Sequence, residues 1–129
     1  MASPEAWLSG AIEDAADCPA YPLKAPEGKL PPYVLYARTA TSRERALDGT
    51  VGAPVGTFAV EMVADGYLAS KQLADLVRAA LMDFSGVSDG ATIDEVDLAE
   101  ESDGDPVFLD GRDVPTYIAQ QVYSIRWQE

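Results

Sequence analysis

Two runs of strand-forming residues follow one another in this chain with no helix between them. Tyr33-Val34-Leu35-Tyr36-Ala37-Arg38-Thr39-Ala40-Thr41 is rich in aromatic and β-branched residues. Thr57-Phe58-Ala59-Val60-Glu61-Met62-Val63-Ala64 sets Phe58, Val60 and Met62 on one face and Thr57, Ala59 and Glu61 on the other. Consecutive strands without a crossover helix are expected to pair antiparallel. The link between them, about 15 residues with Gly49, Gly52, Pro54 and Gly56, is long for a hairpin, and loops of that length are usually functional or mobile. A third alternating run, Tyr117 to Trp127, points Tyr117, Ala119, Gln121, Tyr123, Ile125 and Trp127 one way and Ile118, Gln120, Val122, Ser124 and Arg126 the other. Thr92 to Ala99 alternates weakly and reads as a strand with an acidic face. Glu100 to Pro115 reads as a loop or a short hairpin tip around Val107-Phe108-Leu109.

Two helices complete the pattern. Ser3-Pro4-Glu5 supplies a cap, a proline suited to the first turn and an acid at the positive end of the helix dipole. Trp7, Leu8, Ala11, Ile12, Ala15 and Ala16 follow at helical spacing, giving a helix over about 4–17 that stops before Pro19. Five prolines between 19 and 32 make an extended connector, with room for a short edge strand at Tyr21 to Lys24. Tyr67 to Phe84 is the strongest helix, with Leu73, Leu76, Val77, Ala80, Leu81 and Phe84 as its apolar face. The expected architecture is α+β: one domain over 1–129, an antiparallel sheet with both helices on one face.

Composition removes several functions. The chain has no histidine and one cysteine. Imidazole catalysis, histidine metal sites, internal disulfides and CxxC sites are therefore absent. The net charge of −13 opposes binding to nucleic acid through phosphate neutralisation. No apolar run approaches the ~20 residues of a membrane span, and the first residues lack the pattern of a signal peptide. Cys18, at the end of the first helix, reads as a buried or idle thiol rather than a nucleophile. The glycines from 49 to 56 do not form a phosphate loop, since no Gly-Lys-Ser/Thr follows.

Two charge features stand out. Residues 83–113 hold eleven carboxylates and one base, Arg112. A calcium loop starting at Asp103 fails, because Val107 and Phe108 fill the positions that need an acid and a glycine. An acid/base carboxylate pair has no groove or spacing to support it. The stretch reads first as a solvated acidic face. In a ring around DNA, Asp94, Glu95, Asp97, Glu100 and Glu101 are candidates to line the passage and keep it from retaining a polyanion. Arg43 and Arg45, with Glu44 between them, stand on the long loop as candidate contacts for a carboxylate-bearing partner or another copy.

Taken along its whole length the chain resembles the tail completion proteins of long-tailed bacteriophages and gene transfer agents, also called tail terminators or tail-to-head joining proteins. The likeness rests on the alanine-rich first helix, the proline-broken connector, Leu30-Pro31-Pro32-Tyr33-Val34-Leu35-Tyr36, the strand from Thr57 to Val63, Ala74-Asp75-Leu76-Val77-Arg78-Ala79-Ala80-Leu81, and the closing run to Trp127. It implies a non-enzymatic subunit without cofactor, assembling as a homohexameric ring at the tail-neck junction of a virion built in the host cytoplasm. The ring stops polymerisation of the tail tube protein, meets the head-tail connector or stopper, and lets genomic DNA through without specific binding. No membrane contact is implied. Ring closure needs a heterologous interface. The strands Tyr33–Thr41 and Thr57–Ala64 are the expected inter-subunit edges, with Arg43, Glu44, Arg45, Thr57, Ala59 and Glu61 as subunit or tube contacts. The alternative is a small ligand-binding or regulatory domain that dimerises through a β-edge.

Overall fold

A computed structural model describes residues 3–43, 53–82, 84–88, 90–109 and 111–128. The order is α1 (Pro4–Ala16), β1 (Ala20–Pro22), β2 (Tyr33–Ser42), β3 (Val55–Ala64), α2 (Tyr67–Leu81), β4 (Gly86–Ser88), β5 (Ala91–Asp103) and β6 (Tyr117–Gln128). The strands form one sheet in the order β1-β2-β3-β6-β5-β4. Every neighbouring pair is antiparallel except β1 and β2, which run parallel over Ala20–Pro22 and Val34–Tyr36. The fold is thus α+β, as the element pattern predicts, with a mixed sheet.

Alternation decides what each face of the sheet does. Phe58, Val60 and Met62 of β3 lie opposite Tyr123, Gln121 and Ala119 of β6 on the helix side, with Ile125 opposite Gly56, and all of these side chains are buried. Trp7, Leu8 and Ile12 of α1 and Leu73, Val77 and Leu81 of α2 complete that core. Each such side chain contributes roughly 1.5–3 kcal/mol by leaving water. Both helices lie on this face. Leu76 departs from the expected apolar stripe and is about half exposed (49%). The second helix also stops sooner than its spacing suggests: Met82 is extended, and its N–H closes the last turn on the Arg78 carbonyl. Phe84 then returns to stack on Trp7, ring centres 4.9 Å apart.

One end of the core is built around a cation. The Arg38 guanidinium lies 4.7 Å from the Trp127 ring centre and 5.5 Å from that of Phe58. Glu5 of α1 holds it from the other side, through Nε at 3.1 Å and through a second, shorter bond at NH2. Gly56 is required here. A Cβ at this position would come within 2.7 Å of the Phe58 ring and 2.9 Å of Trp127. Among the described residues, the Thr116 hydroxyl is the buried side-chain polar atom without a hydrogen-bond partner.

Candidate interaction surface

Among the described residues the other face of the sheet carries no helix. Register places Leu35 and Ala37 of β2 opposite Glu61 and Ala59 of β3, and Thr57, Ala59 and Glu61 opposite Ser124, Val122 and Gln120 of β6. Three of the sequence-predicted contacts, Thr57, Ala59 and Glu61, therefore stand together at half-buried positions on this face. They do not sit on an edge. β3 is hydrogen-bonded to β2 on one side and β6 on the other, so the expectation that Thr57–Ala64 offers an open edge is corrected. A sheet edge needs unpaired N–H and C=O groups, and β3 has spent both rows.

The proline-rich connector and the segment after β5 line a common groove with Tyr33 and Leu35 of β2. Gly104 donates its N–H to the Ile118 carbonyl, and Val107 pairs with Thr116. The groove measures about 430 Å³, and Lys24, Lys29, Leu30 and Phe108 are among its lining residues. Leu30 and Phe108 remain largely exposed.

The acidic stretch is a strand, and a longer one than the sequence suggests. Bulges between Ile93 and Glu95 and between Leu98 and Glu100 break its alternation, and the strand runs on to Asp103. The five predicted passage-lining acids are divided by this geometry. Glu95, Asp97 and Glu100 lie opposite Arg126, Ser124 and Val122 on the helix-free face. Asp94 sits at the first bulge, where its Oδ1 accepts from the Gln128 amide at 3.0 Å. Glu101 points to the helix side, accepting from Arg78 at 2.8 Å and from the Gln121 amide at 3.2 Å. A single row containing all five is thus not formed.

The helix-side acids belong to a network that the sequence reading passes over. Gln121 is buried and donates to the Ala74 carbonyl at 3.0 Å, while its Oε1 accepts the Tyr123 hydroxyl at 2.5 Å. Arg78 bonds both Glu101 and Asp75. The hydrogen bond and charge of Glu101 raise the Arg78 pKa, and burial pushes the Tyr123 phenol well above its ordinary range. Beside it, Asp103 accepts from Lys71 and from the Tyr67 hydroxyl, which holds its carboxyl below the usual range. The signal in the sequence is a glutamine in the inward register of an otherwise apolar strand face. A buried amide must find partners, and these residues supply them. The network neutralises rather than exposes charge.

Arg43 is exposed immediately after β2. Glu44 and Arg45 lie outside the described residues. Cys18 is half-buried, and burial first, then Asp17 and Glu13, pushes its thiol up, away from a reactive thiolate. Tyr117 meets Tyr67 edge to face, and Tyr123 and Trp127 are core residues. Among the described residues no cluster of three or more His, Cys, Asp or Glu is arranged to hold a metal ion. No helix among them is long and apolar enough to cross a membrane.

No protein-family model matches this sequence, and no curated protein matches it. Solved structures do match the fold. A chain of the virion of a native gene transfer agent particle superposes with a TM-score of 0.59 at 18% identity, covering 95% of this chain and 84% of its own. A second solved chain matches with a TM-score of 0.53 at 20% identity over 97% of this chain and 92% of that one. The arrangement of two helices on one face of this six-stranded sheet is therefore shared with a component of a gene transfer agent virion.

Proposed function

We propose that this protein is a structural virion subunit that caps the head-proximal end of a tail tube as a ring, stops tube growth and joins the tail to the head connector. The observation that carries this reading is the fold shared, over nearly the whole chain, with a component of a gene transfer agent virion. The sequence resemblance to tail completion proteins points the same way. Two physical features support it. The sheet has a helix-free face on which Thr57, Ala59, Val122 and Leu35 are half-buried, a surface suited to partial cover by a partner. The charge of −13 suits a conduit through which DNA passes without being retained. Arg43, with Arg45, is assigned to the tube or neighbouring subunit, where a carboxylate partner would meet a bidentate donor.

The test is electron microscopy of particles assembled without this chain. Tails that overrun their normal length and heads without tails are the expected outcome, and restoring the chain corrects both. Normal tails joined to heads in its absence would overturn the reading.

A further inference from the structure

The geometry points to a heterologous contact in which the open edge of β2 in one copy pairs, antiparallel, with the open edge of β5 in the next. This deepens the ring reading above and rests on it.

The sheet has two incompletely covered edges. On one side β1 covers β2 only over Val34–Tyr36, leaving Ala37–Ser42 without an outer strand among the described residues. On the other side β4 covers β5 only over Ala91–Ile93, leaving Asp94–Asp103 in the same condition. Both stretches are mainly exposed. Unpaired strand edges are templates for another strand.

Three observations make these two edges partners. They lie at the same height on the sheet: Ala37 is level with Glu100 through Ala59 and Val122, Ala40 with Asp97 through Thr57 and Ser124, and Ser42 with Glu95 through Val55 and Arg126. They run in opposite directions, because three antiparallel steps separate β2 from β5. A neighbour turned about an axis parallel to the strands therefore brings its β2 beside β5 in antiparallel sense and matching height. Finally, their charges differ. The β5 stretch carries six carboxylates and no base, whereas Ala37–Ser42 carries no carboxylate and leads into Arg43.

The same charges exclude the symmetric alternative. Two β5 edges meeting across a two-fold axis would place carboxylates opposite carboxylates, which is unfavourable in cross-strand pairs. A β2–β5 contact instead uses different patches on the two copies, and such an interface propagates until rotation closes it. The acidic edge thus rejects its own kind and accepts the carboxylate-free edge of a second copy.

The test places cysteines across the proposed pairing in the full chain carrying Cys18→Ala. With Ala40→Cys and Asp97→Cys together, oxidation at high protein concentration should give a ladder of covalent oligomers, and linked peptides should join residue 40 to residue 97. Each single-cysteine variant should stop at a dimer. Absence of the ladder from this pair and from Ala40→Cys with Glu95→Cys, two residues along the same face, overturns the pairing. So does a product containing only 40–40 or 97–97 links. Capping is scored separately with the wild-type chain added to growing tubes. Arrest without cross-links removes the edge pairing and keeps the cap; cross-links without arrest do the reverse.

Discussion

The two faces of this sheet are made from the same strands, yet they answer to different demands. On the helix side, Phe58, Val60, Tyr123, Ile125 and Trp127 are fully or almost fully buried, and even the polar Gln121 has its partners. On the other side, Thr57, Ala59, Val122 and Ser124 alternate with them residue by residue and stay half-covered. The difference teaches where folding stability ends and interaction begins. One face is closed by the chain itself; the other keeps small and aliphatic side chains in partial contact with water, where a second protein surface can complete their burial. The acids follow the same division: Glu101 and Asp103 are bonded to α2, whereas Glu95, Asp97 and Glu100 stand on the uncovered side.

The sharpest way to break this comparison is to truncate one residue on each face. Trp127→Ala should cost about 3–5 kcal/mol, because it empties a packed site and removes the ring beneath Arg38. Val122→Ala, five residues earlier on the same strand but on the open face, should cost less than about 1 kcal/mol, since surface changes are mostly small. Urea denaturation of the two variants reads both values. Equal losses would mean that the open face is as closed as the packed one.

A smaller effect is expected inside the polar network. Gln121→Leu keeps the volume but leaves the Tyr123 hydroxyl without its acceptor and takes the second donor from the Ala74 carbonyl, which keeps its bond within α2. Stranding a buried polar group costs about 1–3 kcal/mol. Adding Tyr123→Phe removes the stranded hydroxyl, so the double variant should recover part of the loss. Strictly additive losses in a double-mutant cycle would show that the two side chains are not coupled.

Most of the fold is legible from the residues, and the places where it is not share a cause. α1, β3 and β6 keep their helical or two-residue period throughout, β2 keeps its own up to an irregularity between Arg38 and Ala40, and the observed bounds of all four fall within about two residues of those the spacing predicts. β5 does not keep its period. Its two bulges shift the phase, so Glu100 to Asp103 reads as loop although it is strand. β4 is too short, at three residues, to show any period, and the second helix reads too long because Phe84 continues the helical spacing after the backbone has left the helix. The candidate surface was legible only in part. Alternation correctly groups Thr57, Ala59 and Glu61, but alternation says nothing about strand order. That order places β3 in the middle of the sheet and opens β2 and β5 instead. The acidic residues likewise show their number in the sequence but not their division between faces, which the bulges decide.

The smallest expected effect separates the tethered acids from the uncovered ones by their response to pH. Asp103 accepts bonds from Lys71 and Tyr67, and its pKa is lowered as a result. A carboxyl whose folded pKa lies below its unfolded value near ~3.9 adds stability above that value and loses it as pH falls through the folded one. Lys71, whose pKa the same bond raises, adds stability below its unfolded value and loses it only at strongly alkaline pH. Both groups are largely exposed, so water and salt screen the pair and its contribution is slight. Asp103→Asn should therefore lower the melting temperature slightly near neutral pH and low salt, and the difference from wild type should vanish under acid conditions and shrink in high salt. Asp97→Asn should show the opposite sign near neutral pH. Asp97 stands on β5 between Glu95 and Glu100 without an ion pair among the described residues, so neutralising it relieves like-charge repulsion. Thermal melts of both variants across pH and salt read the two signs. If Asp97→Asn destabilises as Asp103→Asn does, the acids of β5 form one electrostatic group, and the division between the two faces does not extend to charge.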